Sequence, residues 1–206
     1  GLLVVLAGEL EKRTSTIAMA WSITFYILAG LFIAFYLYHS YILPHPASDK
    51  PAVGNVTANN IFKEFFATFA SFFKKPQAGV AILFMLFYRL PEAQLVKLIN
   101  PFLLDPIEKG GLGLSTAEVG WVYGTIGIIG LTLGVIIGGI CAAKGGLQKW
   151  LWPMAWSISL TCITFVYLGY FQPQDLLTIN ICVFIEQFGY GFGFTAYMLY
   201  LIYYSD

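Results

Sequence analysis

VGWVYGTIGIIGLTLGVIIGGICAA, residues 119–143, is a long stretch without a single charged side chain. A helix needs about 20 predominantly apolar residues to cross the hydrocarbon core of a bilayer. The stretch is long enough, and it lacks the period-two alternation that would favour a strand. It therefore predicts a membrane-spanning helix.

Four further stretches have the same length and apolar character. The predicted spans are residues 17–43, 78–104, 119–143, 150–171 and 176–203. Residues 1–8 indicate the end of a preceding helix. We therefore expect an all-α integral membrane protein with about five complete transmembrane helices. Both ends of the chain look like cuts in a longer bundle, so further N-terminal and C-terminal helices are expected as partners.

Composition excludes several other classes of protein. Hydrophobic residues make up 58% of the chain and charged residues 11%, against roughly 25% charged in an ordinary globular domain. The formal net charge is zero, which gives no electrostatic basis for nucleic-acid binding. Cys141, Cys162 and Cys182 lie in apolar runs without metal-ligand spacing, and the sequence contains no GxSxG, P-loop or HExxH motif. We expect neither an enzyme nor a cofactor or metal site.

The loops predict the orientation of the chain in the bilayer. Cytoplasmic loops of membrane proteins carry an excess of lysine and arginine. The loops after the first and third spans contain Lys50, Lys63, Lys74, Lys75, Lys144 and Lys149. The opposite side contains Lys12, Arg13 and Lys109. We therefore expect the first set of loops in the cytoplasm.

The long loop of residues 44–76 contains an amphipathic segment at residues 60–75. Its phenylalanines recur at helical spacing, at Phe62, Phe66, Phe69 and Phe73. This pattern predicts a connecting helix that lies in the membrane interface with its apolar face down. A helix packed on the cytoplasmic ends of the bundle is an equal alternative.

Charged and polar residues within the second span form the first candidate site. Arg89 falls near the middle of the span, and Glu92 follows three residues later on the same helical face. Pro91 between them removes a backbone hydrogen bond and should bend the helix. Lys97 and Asn100 continue the polar line outward. Buried charges of this kind are costly and tend to be functional, although an ion pair that only fixes helix packing is an alternative.

The second candidate site is Glu186 with Gln187 in the fifth span. Glu186 also lies near mid-membrane, and no cation is within helical reach in the sequence. It must be protonated, face a wet cavity or pair across helices. A protonated carboxyl group that hydrogen-bonds a neighbouring helix is the structural alternative.

Glycines form two patterns in the spans. Those of the third span are spaced by three and four residues, which predicts close approach of a neighbouring helix: Gly120, Gly124, Gly127, Gly130, Gly134 and Gly138. Gly189, Gly191 and Gly193 follow Glu186 and permit a bend or a local break of the fifth span.

Several short segments resemble known transporters. Gly139, Ala142, Lys144 and Gly146 match the second, weakened copy of the cytoplasmic loop motif of the major facilitator superfamily, with Ala143 at its acidic position. Residues 88–93, YRLPEA, resemble the Tyr-Lys-x-Gly-Asp-Ala segment of AmpG-like muropeptide permeases. Residues 184–187, FIEQ, resemble the Phe-Phe-Glu-Asn segment of the same family. Its Gly-Met-Gly segment is matched at Gly191, Phe192 and Gly193.

The resemblance covers about residues 77–206 and implies a partial major facilitator-type helical bundle. The family is a branch related to acetyl-coenzyme A transporters, and its bacterial members import anhydromuropeptides with protons. The five spans then correspond to the sixth through tenth of at least twelve, with residues 1–43 ending the N-terminal bundle and residues 77–206 starting the C-terminal bundle. Val122-Tyr123-Gly124 departs from the family's Val-Asn-Lys, which allows a different solute.

The leading hypothesis is a multi-pass secondary transporter of the bacterial inner membrane that imports an anionic solute with protons. The expected substrate-binding residues are Arg89, Glu92, Lys97, Asn100 and Gln187, and Glu186 or Glu92 carries the proton. The expected packing or gating residues are Pro91, Gly139, Lys144, Gly146, Gly191 and Gly193. The rival hypothesis is a membrane scaffold or receptor that does not transport and whose charges only fix helix packing. A membrane acyltransferase is disfavoured because catalytic histidine motifs are absent.

Overall fold

A computed structural model of the chain describes residues 1–44 and 58–205. Within these ranges all regular structure is helical. The helices are α1 (Leu2–Glu11), α2 (Ile17–Ile42), α3 (Ala58–Lys74), α4 (Ala78–Leu104), α5 (Thr116–Trp121), α6 (Gly127–Gly145), α7 (Leu147–Leu160), α8 (Ile163–Phe171) and α9 (Leu176–Ser205). A short 3-10 turn, Ile107–Lys109, follows α4, and a π-helical turn, Val122–Ile126, joins α5 to α6.

Among the described residues, five helical segments are long and apolar enough to cross a membrane, which confirms the predicted number of spans. They are Ile17–Ile42, Ala78–Leu104, Thr116–Gly145, Leu147–Phe171 and Leu176–Tyr204. The third segment comprises α5, the π-helical turn and α6, and the fourth comprises α7 and α8. The large apolar side chains exposed along these segments suit contact with lipid or with further helices.

Local hydrogen bonds explain where the third span starts. It begins with a capping box, in which Ser115 accepts from the backbone of Glu118 and the Glu118 carboxylate accepts from the backbone of Ser115. The fourth span is interrupted by a turn at Thr161 and Cys162, between α7 and α8.

The chain divides into two compact units, Gly1–Tyr26 with Phe87–Asp206, and Ile27–Leu86. In the first unit α6, α7 and α8 pack against α9, and α1 packs against α5. Its core combines the end of α4, the following loop and parts of α5, α8 and α9, with Leu103, Val122, Leu168, Ile179 and Val183 fully buried.

The loop after α4 is folded back onto that helix. The backbone amides of Leu112 and Leu114 donate to the carbonyls of Phe102 and Leu103, at 2.8 and 2.9 Å. These bonds satisfy two of the carbonyls that a helix end leaves without partners. They also carry both leucine side chains into the core, so the end of α4 is held in place.

The glycine stripe of the third span provides close helix contacts, as predicted. A Cβ atom at Gly120 would lie 2.7 Å from the Val5 amide nitrogen of α1, and one at Gly130 would lie 2.7 Å from the Phe184 carbonyl oxygen of α9. No larger residue fits there without movement of backbone. The stripe therefore contacts α1 before the π-helical turn and α9 after it.

The glycines near Glu186 do not interrupt α9, which is continuous from Leu176 to Ser205. The sequence allowed a bend or a local break here; the helix has no break, and these glycines allow close packing. A Cβ atom at Gly193 would lie 2.7 Å from the Met154 carbonyl oxygen of α7, and Gly191 meets the carbonyl of Leu131 in α6. Small residues allow helices to approach closely where a side chain would hold them apart.

In the second unit, α3 is strongly amphipathic, as the sequence predicts. Its exposed apolar face consists of Phe62, Phe65, Phe66, Phe69 and Phe73. Successive rings stack or meet edge to face along the helix. Whether this face lies on lipid or on a bundle stays a prediction. The rest of the predicted loop, residues 45–57, lies outside the described residues.

Candidate functional site

Arg89 and Glu92 form an ion pair in the middle of α4. The guanidinium Nη2 donates to Oε2 of Glu92 at 2.9 Å. The spacing of three residues places both side chains on one face, and α4 stays helical through Pro91 and Pro101. The Glu92 side chain is 7% exposed and that of Arg89 is 36% exposed. The acid is thus enclosed, while part of the guanidinium remains accessible.

Three aromatic side chains of α9 surround the guanidinium. Its carbon lies 5.3 Å from the ring centre of Phe194, 5.8 Å from that of Tyr197 and 5.9 Å from that of Tyr190. The Tyr190 hydroxyl also accepts a hydrogen bond from Nη2 at 3.1 Å. Aromatic faces attract cations, so this cluster keeps Arg89 charged and directed toward α9.

Tyr88 links the same two helices directly. Its buried hydroxyl donates to the carbonyl of Gly193 at 2.8 Å, and its ring stacks on Tyr197. The Arg89 Nε atom, by contrast, is buried without a hydrogen-bond partner among the described residues. Leaving a charged donor unpaired is costly, so this edge of the guanidinium favours an additional acceptor.

Glu186 is the centre of a second polar group. Glu186 as a whole is 1% exposed, and its Oε2 accepts from the side-chain amide of Gln187 at 2.9 Å. The same amide nitrogen donates to the Tyr123 hydroxyl oxygen at 2.7 Å. Gln187 therefore uses both of its N–H bonds and connects Glu186 to the π-helical turn of the third span.

The two polar groups share one electrostatic neighbourhood. Glu92 lies within electrostatic range of Glu186, and so do Tyr123, Tyr190 and Cys162. Arg89 is the only cation in described contact with these carboxyl groups. Two enclosed carboxyl groups therefore share one described cation.

The structure places the predicted binding residues in four locations. Arg89 and Glu92 lie together, and Gln187 lies beside Glu186. Lys97 is exposed and has no described contact with either pair. Asn100 lines a separate cavity near the end of α4.

The predicted loop motif lies at the end of α6. Gly146 has a φ of 77°, a conformation that glycine adopts without strain, and its amide donates to the carbonyl of Ala142. Lys144 is exposed in the last turn, where a cation suits the helix dipole. A Cβ atom added at Gly139 would meet no neighbouring atom of the described residues within 4 Å. The role of these residues in gating stays a prediction.

The aromatic partners of the site were not predicted. Glu186, Tyr190, Phe194 and Tyr197 are spaced by four, four and three residues, which places them on one face of α9. This spacing is visible in the sequence and could have extended the predicted site along α9. Tyr123 and its π-helical turn have no comparable signal.

Comparison with known proteins gives relatives of one kind. AmpG 2 of Rickettsia typhi, named as a transporter, is 32% identical over 141 residues, which is 68% of this chain and 33% of its own length. AmpG 2 of Rickettsia prowazekii is 30% identical over 197 residues, 96% of this chain and 45% of its own length. The anhydromuropeptide permease of Escherichia coli K12 is 23% identical over 212 residues, 98% of this chain and 38% of its own length.

The chain is similar to AmpG-like permeases over most of its length, and these relatives support an AmpG-like permease. It spans less than half the length of these relatives. No family model matches it, and no solved structure matches it significantly. The relatives and the five apolar helices support a multi-pass membrane protein with a partial major facilitator-type bundle.

Proposed function

We propose that this chain is part of a proton-coupled secondary transporter that imports an anionic solute across the bacterial inner membrane. The solute class is a muropeptide or a related sugar-peptide of the cell wall, as the name of the Escherichia coli relative suggests. The observation that carries the proposal is the Arg89–Glu92 pair, set in the middle of a span and facing the aromatic cluster of α9.

Arg89 is the proposed anion-binding group. A guanidinium presents its donors in a planar fork that matches the two oxygens of a carboxylate. The present contacts of Nη2 leave Nε without a partner among the described residues. A solute carboxylate that accepted from this edge would complete the hydrogen bonding of Arg89.

Glu186 or Glu92 is the proposed proton carrier. Both carboxyl groups are enclosed, and a buried carboxylate without a full set of partners is costly. Glu92 is held by Arg89, whereas Glu186 contacts only the neutral amide of Gln187 among the described hydrogen bonds. A solute anion that drew Arg89 away from Glu92 would leave two carboxylates without a cation, and uptake of a proton would relieve that repulsion.

The proposed architecture follows the two halves of a major facilitator. Residues 1–43 end the first half, residues 44–76 connect the halves in the cytoplasm, and residues 77–206 begin the second half. The solute would bind between the halves and be released by alternating access. The remaining helices of the protein would supply the rest of the binding site.

Uptake by the full-length protein in proteoliposomes tests the proposal. Uptake of a radiolabelled anhydromuropeptide should rise when the outside is more acidic, and preloaded vesicles should show counterflow. A scaffold or receptor that does not transport would show neither activity. Arg89→Ala should abolish both activities while the protein still inserts and remains monodisperse in detergent.

A further inference from the structure

The cavity that Asn100 lines has a volume of about 380 Å³ and lies between α1, α2, the end of α4 and the third span. This volume is within the usual range of ligand pockets, about 300–1,000 Å³. Its walls are mainly apolar, and its polar or aromatic lining residues are Trp21, Asn100, Thr116 and Tyr123.

One wall of this cavity is fixed by Glu11. The Glu11 carboxylate accepts from the Trp21 indole N–H at 3.0 Å and from the Thr116 hydroxyl at 2.9 Å. Both donors are therefore already used. Trp21 therefore presents a fixed aromatic surface to the cavity, and neither Trp21 nor Thr116 has a free donor for a ligand. A side chain that is held in place in this way is preorganised for an apolar contact.

The polar groups left for a ligand come from two residues. The side chain of Asn100 makes no hydrogen bond among the described residues, so its amide is available to a ligand. The Tyr123 oxygen accepts from Gln187, which leaves its own hydrogen to be donated elsewhere. An apolar cavity with a few directed polar groups is typical of a small-molecule site.

The π-helical turn Val122–Ile126 places Tyr123 at this boundary. Single π-helical turns inside α-helices are rare and frequently occur at functional sites. On the same turn the Thr125 hydroxyl is buried without a partner among the described residues. The turn thus departs from α-helical geometry at the point where the third span meets both the cavity and Gln187.

We propose that Tyr123 is a solute-contacting and positioning residue that connects the cavity to Glu186 through Gln187. The matching solute group is a hydrogen-bond acceptor, such as a carbonyl or ring oxygen, beside a flat apolar surface that packs on Trp21. When the solute accepts from Tyr123, the hydroxyl is fixed, and the Gln187 amide is fixed with it against Glu186. The solute contact of Tyr123 rests on the proposed transport function. The link from Tyr123 to Glu186 does not depend on that function.

The link is tested without any solute, by the rate at which dicyclohexylcarbodiimide modifies Glu186 in the full-length protein at fixed pH. The reagent modifies protonated carboxyl groups, and peptide mass spectrometry separates Glu186 from Glu92. Tyr123→Phe removes only the oxygen that holds the Gln187 amide. The Gln187 amide stabilises the ionised form of Glu186. When Tyr123 no longer holds this amide, the protonated form that the reagent modifies should be favoured. Modification of Glu186 should therefore become about two- to tenfold faster. Gln187→Leu should act in the same direction.

Matched variants separate this role from a structural one. Tyr167→Phe changes a tyrosine of α8 whose described contact is ring packing on Phe171, and it should leave the rate unchanged. Asn100→Ala should also leave it unchanged, since Asn100 has no described bond to Gln187. An unchanged rate in Tyr123→Phe, with wild-type thermal stability, would overturn the link.

The solute contact is tested by transport of an anhydromuropeptide. Tyr123→Phe and Asn100→Ala should each raise the KM about two- to tenfold, and Tyr167→Phe should not. A wild-type KM in both cavity variants would overturn the contact. If the wild-type protein itself does not transport this solute, the proposed function fails, while the modification rate still decides the link to Glu186.

Discussion

The Arg89 guanidinium donates to Glu92 at 2.9 Å across one turn of α4, and the acid is the more deeply enclosed partner. Removing the cation from such a pair leaves a buried carboxylate without compensation, which is more costly than losing an exposed ion pair. Arg89 is therefore suited to exchange its partner. A solute anion that binds Arg89 in place of Glu92 changes the charge state that Glu92 and its neighbours favour.

Replacing Arg89 by lysine tests whether its planar fork binds the solute. Arg89→Lys keeps the positive charge but loses the paired donors, so the KM for an anhydromuropeptide should rise on the order of tenfold. A hydrogen bond to a charged group contributes about 1.5–3 kcal/mol, which is the basis of this magnitude. Uptake by the full-length protein in proteoliposomes measures it.

The control for Arg89 is Arg13→Lys, which changes an exposed arginine outside the predicted spans. Its uptake should equal that of the wild-type protein. Equal KM values in Arg89→Lys and Arg13→Lys would show that the ion pair of α4 has a packing role only.

The glycine stripe predicts a difference in stability between two positions of α6. Gly130→Ala places a methyl group against the Phe184 carbonyl and should destabilise the protein by about 1–3 kcal/mol. Gly139→Ala adds a methyl group that meets no neighbouring atom of the described residues within 4 Å, so it should be neutral or slightly stabilising. Thermal unfolding in detergent compares them, and equal unfolding midpoints would contradict the packing described for α6 and α9.

The start of α9 predicts a dependence on one acidic cap. The Asp175 carboxylate accepts from the Thr178 backbone amide at 2.8 Å. Hydrogen bonding to the side chain and to the backbone of Thr178 lowers the pKa of Asp175. Asp175→Ala should lower the unfolding midpoint, whereas Asp175→Asn, which can also cap, should lower it less.

The lowered pKa of Asp175 sets the sign of its pH dependence. The stabilisation by a carboxylate with a lowered folded-state pKa is fully present above its unfolded value and is lost as the pH falls through the folded value. The effect of Asp175→Ala should therefore be the same at pH 6 and pH 8. A destabilisation that appeared only at the higher pH would contradict this account.

The orientation predicts which loops react with a membrane-impermeant thiol reagent. In a full-length protein without native cysteines, Lys109→Cys and Gln174→Cys should be modified from the periplasmic side. Lys144→Cys should be modified only after the membrane is opened. The reverse pattern would place the loop of residues 44–76 outside the cell and contradict the proposed architecture.

Hydropathy was sufficient to predict the five spans, because crossing a bilayer requires long, predominantly apolar helices whatever their partners. The Arg89–Glu92 pair was also predictable, since a spacing of three residues fixes both side chains on one helical face. The aromatic cluster around Arg89 depends on the register between α4 and α9, which local sequence does not determine. The π-helical turn at Tyr123 and the break after Leu160 leave hydropathy unchanged, so only the structure shows them.

Glycine patterns were informative about contact but did not decide between a bend, a break and close packing. The stripe of the third span marks close approach correctly, because a missing side chain permits it wherever the neighbour lies. From the sequence, Gly189, Gly191 and Gly193 permitted a bend or a local break of α9. In the structure, residues in and next to α6 and α7 occupy the space that side chains would fill, and the helix has no break.

Proton-driven uptake by Glu186→Gln tests the central claim most directly. Glutamine keeps the size and hydrogen bonding of Glu186 but cannot bind and release a proton. In proteoliposomes with the full-length protein, we expect the variant to lose anhydromuropeptide uptake driven by a pH gradient while retaining counterflow exchange. Gradient-driven uptake at the wild-type rate would contradict the proposed coupling role of Glu186 and leave Glu92 as the remaining acidic candidate of this site.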